Sequence, residues 1–273
     1  MYRCPLCQHS LERHGQQLRC DLGHSFDIAK QGYVNLLPVQ NKRSKSPGDN
    51  ADMMQARRNF LNAGYYQALS DQLNQFFIDY VAAYSTPNVL DLGCGEGYYT
   101  ARLQSALNTK TSAQIWGLDI SKEAVRYAAK RDKNIQFCVA SAYDLPFPDQ
   151  SFDGLMRIYA PSLASEIGRV TRPGGWLITV QPAADHLIEL KQAIYRQPQP
   201  HDETPESVEG FTLIKQHKLS YQMILDNETD RLNLINMTPF GWKLNAEQKQ
   251  NLAQSLQQIK ADFLIHVQQK TNN

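Results

Sequence analysis

Val89-Leu-Asp-Leu-Gly-Cys-Gly-Glu-Gly-Tyr-Tyr-Thr100 passes from an apolar run through three glycines into a helix-forming stretch. This order reads as a buried strand, a tight turn and the start of a helix. The missing side chains at Gly93, Gly95 and Gly97 let backbone come close to a ligand. A dinucleotide fingerprint, G-x-G-x-x-G, needs its last glycine at position 98, which is Tyr98. The spacing therefore speaks against a pyrophosphate-bearing cofactor.

Downstream of the loop, strands at Gln114–Ile120, Ile135–Val139, Phe152–Ile158 and Trp176–Val180 alternate with helical patterns at Tyr99–Leu107, Lys122–Arg131 and Ser162–Val170. Such alternation predicts right-handed βαβ units, hence a doubly wound α/β domain on a mostly parallel sheet. Before it, Ala51–Tyr84 has apolar residues at helical spacing broken at Gly64, which predicts two helices. After it, Gln197–Pro205 reads as an exposed proline-rich loop, and Phe211–Leu225 and Phe263–Val267 as late strands around a helical stretch.

Asp119 closes the second strand, 22 residues past Gly97. An acid at that place in a βαβ unit typically binds both hydroxyls of a ribose. Together these residues resemble the class I S-adenosylmethionine-dependent methyltransferases, a Rossmann-like fold, over roughly residues 85–182. The resemblance implies that Asp91 and the loop glycines Gly93 and Gly95 hold the amino-acid part of the methyl donor and Asp119 its ribose. It further implies that Ser141 and Ala142 meet the adenine, Ser141 standing where an Asp is usual. Cys94 has no nearby His to serve as base and reads as a small residue, not a nucleophile. Cys138 reads as core packing.

Composition is that of an ordinary soluble protein: 273 residues, 42% hydrophobic and 20% charged. No run of apolar residues is long enough to span a membrane and no export signal opens the chain, so a cytoplasmic location is expected. Net charge is +1, yet residues 1–58 hold nine Lys/Arg against five Asp/Glu. The front of the chain is its basic end.

Five cysteines without an export signal favour metal ligation or reduced thiols over disulfides. Cys4-Pro-Leu-Cys7 and Cys20-Asp-Leu-Gly-His24 form C-x2-C-x12-C-x3-H, two knuckles able to present four ligands to one tetrahedral ion. Zinc is the expected metal, and a closed ligand set makes the site structural. A redox CxxC is the competing reading. His9 and His14 lie in the spacer and read as solvated. The organisation expected is a zinc-binding module over 1–38, a basic connector over 39–58 carrying Lys42, Arg43, Lys45, Arg57 and Arg58, and a methyltransferase domain over 59–273.

The knuckles, His24-Ser-Phe-Asp27, Lys30-Gln-Gly-Tyr-Val-Asn-Leu-Leu-Pro-Val-Gln40, Pro47-Gly-Asp49, Met53-Met-Gln-Ala-Arg-Arg58, the glycine loop and Arg157-Ile-Tyr-Ala-Pro161 together resemble the 23S ribosomal RNA guanine-N1 methyltransferases. The resemblance implies a homodimer that methylates a guanine in an rRNA hairpin. It also implies donor contacts from Tyr66, Tyr99, Thr100 and His186. Guanine N1 lies on the Watson–Crick edge, so the target must be unpaired or flipped, with Tyr159 a candidate to stack on it. The basic connector is expected to meet phosphates. Two other readings are a small-molecule, quinone-type C- or O-methyltransferase, suggested by Leu145-Pro-Phe-Pro148 and Arg172-Pro-Gly-Gly175, and an inactive RNA-binding or ribosome-assembly protein.

Overall fold

A computed structural model of the chain describes residues 1–38 and 51–271. The front folds as a four-stranded antiparallel sheet in sequential order, β1 (Tyr2–Arg3), β2 (Ser10–His14), β3 (Gln17–Arg19) and β4 (Ser25–Asp27). Only a few apolar side chains, among them Tyr2, Leu11 and Leu18, are buried in it. Apolar burial alone would not hold so small a unit.

The next strand, β5 (Val34–Asn35), leaves this sheet. It pairs in parallel with β8 (Gln136–Val139), at the edge of the large sheet. Two helices, α1 (Ala51–Asn62) and α2 (Gln67–Tyr80), follow, separated by Gly64 in left-handed backbone. Then come β6 (Asn88–Leu92), α3 (Tyr98–Leu107), β7 (Gln114–Asp119), α4 (Lys122–Arg131), β8, β9 (Phe152–Ile158), α5 (Ala164–Val170), β10 (Thr171–Pro182) and α6 (Ile188–Ile194). The chain ends with a long antiparallel pair, β11 (Phe211–Ile224) and β12 (Gln258–Lys270), between which α7 (Glu228–Met237), a short 3-10 turn (Pro239–Lys243) and α8 (Ala246–Ser255) are inserted.

The eight-stranded sheet runs β11-β12-β10-β9-β6-β7-β8-β5 and is parallel from β10 to β5. The doubly wound reading therefore holds, with two antiparallel strands added at one edge. Its inner parallel strands β6, β7, β8 and β9 are buried on both faces, as a parallel sheet requires, whereas the edge strand β11 is largely exposed. On one face Val89, Ile115 and Phe137 pack with residues of α1 to α4. On the other, Leu90, Trp116 and Cys138 pack with α5 and with Tyr2, Leu11 and Leu18 of the small sheet. No helix spans the crossover from β8 to β9; the small sheet docks there, with Arg3 N donating to Pro146 O (2.9 Å) and Tyr2 against Phe147.

Within the module expected to run to residue 38, Tyr33, Val34, Leu36 and Leu37 are buried, Tyr33 and Leu37 in the core on the α1-to-α4 side of the large sheet and Val34 and Leu36 together with Tyr2, Leu11 and Leu18. The expected connector is helical from Ala51 onward. Lys42, Arg43 and Lys45 lie outside the described residues. Arg57 and Arg58 belong to α1 because the buried stripe of Met53, Met54, Phe60 and Leu61 extends the helix through them.

Candidate active site

Strand order reverses at β6, where β7 and β8 lie on one side and β9 and β10 on the other. The carboxyl ends of β6 and β9 open there into a cavity of about 590 Å³, the place where doubly wound sheets bind ligands. Gly93 and Gly97 take left-handed backbone, at φ +74° and +81°. A Cβ on Gly93 would stand 2.4 Å from the Cβ of Ala160, and one on Gly97 2.9 Å from that of Ala128. The first glycine lets the loop after β9 close on the glycine loop; the second lets α3 approach α4.

Asp91 ends buried at the tip of β6, where the Thr100 hydroxyl donates to its Oδ2 (2.6 Å). Burial pushes its carboxyl up to about 7; the Thr100 bond opposes this and the charge of Asp119 adds to it. Asp119 accepts from Gly95 N (3.0 Å) and Ser121 N (2.8 Å), which ties the ends of the first two parallel strands together. Its carboxylate retains acceptor capacity toward the cavity.

Tyr66, Asp91, Gly93, Gly95, Tyr99, Asp119, Ser141, Ala142 and His186 all line this one cavity. Thr100 does not. It is fully buried behind the lining, and its hydroxyl donates to Asp91. Ser141 Oγ accepts from Tyr143 N (3.1 Å). Tyr159 also lines the cavity, 46% exposed and at φ +54°. An aromatic residue held in left-handed backbone stores about 1–3 kcal/mol of strain, as residues at binding sites often do.

Two features escaped the sequence. Arg57, expected on an RNA-facing connector, lines the cavity, while Arg58 lies over the Tyr127 ring at 5.1 Å. Glu96, between two glycines, is buried and paired with Arg131 at the end of α4. Burial raises its carboxyl pKa and Arg131 opposes the rise. An acid and a base 35 residues apart leave no periodic signal; only the packing of α4 against the loop joins them. With Glu96 neutralised by Arg131, Asp91 and Asp119 are the carboxyl groups at the glycine loop that suit a ligand carrying an ammonium and hydroxyls.

In the small sheet, the ligand atoms of Cys4, Cys7, Cys20 and His24 lie within 4.8 Å of one another. Contacts of 3.5 Å (Cys4 Sγ to His24 Nδ1), 3.4 Å (Cys20 Sγ to His24 Nδ1) and 3.6 Å (Cys7 Sγ to Cys20 Sγ) match edges of a tetrahedron with zinc-to-ligand bonds of about 2.0–2.3 Å. The residues fit the ion. His9 is held by Asp21 (2.7 Å) and stands outside the cluster.

This sheet order, with a glycine loop and a ribose-type acid at its switch point, defines a class I methyltransferase. The family model for a methyltransferase domain matches residues 85–258, and the zinc-ribbon model described as RlmA, N-terminal matches residues 2–45. The 23S rRNA (guanine(748)-N(1))-methyltransferase of Streptomyces fradiae is 35% identical over 246 residues, covering 88% of this chain and 85% of that protein. A Bacillus subtilis protein, YxjB, provisionally named a 23S rRNA (guanine-N1)-methyltransferase, is 33% identical over 250 residues, with 89% and 87% covered. This chain belongs to the family of 23S rRNA (guanine-N1)-methyltransferases. A Galdieria sulphuraria structure, provisionally assigned as a sarcosine dimethylglycine methyltransferase, shares the fold at a TM-score of 0.50 and 13% identity, over 76% of this chain and 86% of that one.

Proposed function

We propose that this protein transfers the methyl group of S-adenosylmethionine to N1 of a guanine in 23S rRNA. The observation that carries this reading is likeness to the Streptomyces protein along nearly the whole chain, together with a zinc ribbon that a small-molecule methyltransferase would not require. The retained loop glycines and Asp119 speak against an inactive binding protein. Reverse transcription of unmethylated 23S rRNA incubated with protein and donor tests it. A new donor-dependent stop at one guanine, with 1-methylguanosine recovered on digestion, is expected, because an N1 methyl blocks Watson–Crick pairing. No stop on naked rRNA or on ribosomal particles would overturn it.

In this reading the donor supplies a methyl on a positively charged sulfur, and the chain's residues hold and shield it. Asp91 faces the donor's amino group, Asp119 its ribose, and Ser141 and Ala142 its adenine. Tyr66, Tyr99 and His186 wall the methionine end, and Arg57 meets the carboxylate. Cys4, Cys7, Cys20 and His24 hold a structural zinc. The substrate places the protein in the cytoplasm, where it acts as a homodimer; light scattering should give twice the 31.0 kDa chain mass. Among the described residues no helix is long and apolar enough to cross a membrane.

Donor affinity should depend on pH. Asp91 must be ionised to hold an ammonium, and its free carboxyl sits at about 7. Binding therefore weakens about tenfold for each pH unit below about 7, until the lower pKa of the bound state is reached. Calorimetry across this range checks it; a flat profile for the native chain contradicts it, whereas Asp91→Asn should be weak and flat.

RNA and donor contacts should separate by mutation. Replacing Lys42, Arg43 and Lys45 with Ala should weaken rRNA binding and shallow its salt dependence at unchanged donor affinity. Arg57→Ala should do the reverse. Filter binding and calorimetry on the same variants decide between the two behaviours.

A further inference from the structure

We propose that His201 accepts the N1 proton of the target guanine, an inference that rests on the function proposed above. A neutral guanine holds a proton on N1, and methyl transfer to that nitrogen needs a group to take it. His201 sits in the proline-rich segment that the sequence marks only as an exposed loop. The structure fastens that segment over the end of β10. His201 N donates to Ala184 O (3.3 Å), Ala184 N to Glu203 Oε1 (2.9 Å), and Gln181 Nε2 to Asp202 O (3.1 Å). These bonds bring His201 into the cavity wall.

Five carboxylates and imidazoles line that cavity, and four are committed. Asp91 and Asp119, each already accepting at the glycine loop, are given to the donor in the reading above, and Glu96 is paired with Arg131. His186 Nδ1 accepts from Asp262 N (3.2 Å), so the neutral ring carries its proton on Nε2, toward Tyr66 Oη at 3.5 Å. His186 therefore donates at that position and has no free lone pair. Among the described residues the His201 imidazole has no hydrogen-bond partner, and its ring neighbour is His186 at 6.5 Å between centroids. His186 is also the neighbour of Tyr159, at 6.1 Å, so the open imidazole lies in the same aromatic cluster as the candidate stacking residue.

The electrostatics agree. Burial, then the nearby Lys191 of α6, lowers the His201 pKa, leaving the ring neutral and its lone pair free at neutral pH. The other charged groups at hand are Asp202 and Glu203 on its own segment. The first accepts from Thr204 N, the second from Ala184 N and Lys218. In the step the N1–H bond breaks and its proton passes to the free imidazole nitrogen. The N1 electron pair forms the new bond to the methyl carbon, and the sulfur–carbon pair stays on sulfur. One positive charge disappears from sulfur as one appears on His201, so the cavity's net charge is conserved.

Single-turnover methylation of an unmodified 23S rRNA transcript by His201→Gln and His201→Ala tests this. Both variants should lose about a hundredfold or more in rate while melting and binding donor as the native chain does, and added imidazole should restore part of the rate to His201→Ala. With donor saturating at every pH, so that Asp91 does not limit binding, the native rate should fall on acidification below the ordinary imidazole pKa. The Gln variant should lose that limb and keep rising into alkali, where guanine N1 ionises unaided. By NMR, the His201 ring resonances, identified by their loss in the Gln variant, should shift when transcript is added with S-adenosylhomocysteine. A Gln variant within threefold of the native rate, a rate loss with neither rescue nor a changed pH profile, or unmoved resonances would overturn the assignment of His201 alone. A native chain that makes no 1-methylguanosine overturns the underlying function and this step with it.

Discussion

Asp119→Ala should weaken S-adenosylmethionine binding about 10²- to 10⁴-fold. The side chain has two tasks. Its oxygens accept from Gly95 N and Ser121 N, which sets the glycine loop against the end of β7, and they remain able to accept from two ribose hydroxyls. Each hydrogen bond to a charged acceptor contributes about 1.5–3 kcal/mol, so losing two removes about 3–6 kcal/mol. Asp119→Asn keeps one acceptor oxygen and should fall between the extremes. Calorimetry on the purified variants reads both. A loss below fivefold for the Ala variant would mean that the ribose is held elsewhere, while unchanged near-ultraviolet circular dichroism would exclude general unfolding as the cause.

Removing zinc should have the larger structural effect. Structural zinc contributes about 10–16 kcal/mol to folding in comparable small units, and this one buries few apolar side chains of its own. Cys4→Ser or Cys20→Ser should abolish stoichiometric zinc and erase hydrogen-exchange protection over the four small strands. The large domain should keep its donor site, at reduced thermal stability, because the small sheet covers Leu90, Trp116 and Cys138 on one face of the large one. Metal analysis with hydrogen exchange decides it. A Cys4→Ser protein that retains both zinc and protection would show the cluster to be dispensable.

Much of this was legible in the chain. Local features write themselves into sequence: three glycines at fixed spacing demand a turn, an acid closing the next strand sits at a known place in the unit, and two paired knuckles imply one ion. What could not be read depends on packing between distant segments. Thr100 and Asp91 are nine residues apart across a strand, a turn and a helix start, and only their geometry shows that the hydroxyl serves the carboxylate. Arg57 reads as one more basic residue next to a charged stretch until α1 is docked on the sheet. His201 lies among prolines and polar residues whose composition signals exposure, yet tertiary hydrogen bonds to the end of β10 carry it into the cavity. Charge patterning reports composition along a line, and the function of these residues is set by where the line folds back.

The pairing of β5 with β8 governs where the chain can be divided. Residue 38 looks like a natural seam, with the metal cluster before it and charged residues after it. Cutting there would discard Tyr33, Val34, Leu36 and Leu37 from the interior of the larger piece, and with them the amide of Leu36 that reaches Val139 O (2.9 Å). The remainder would carry an uncovered strand, β8, with a row of unsatisfied amides and carbonyls ready to recruit another chain. An excised catalytic fragment should therefore self-associate unless it begins near residue 32. The metal-bearing front and the methyl-transferring body thus share a strand's worth of sequence, and evolution could not exchange the one without repairing the edge of the other.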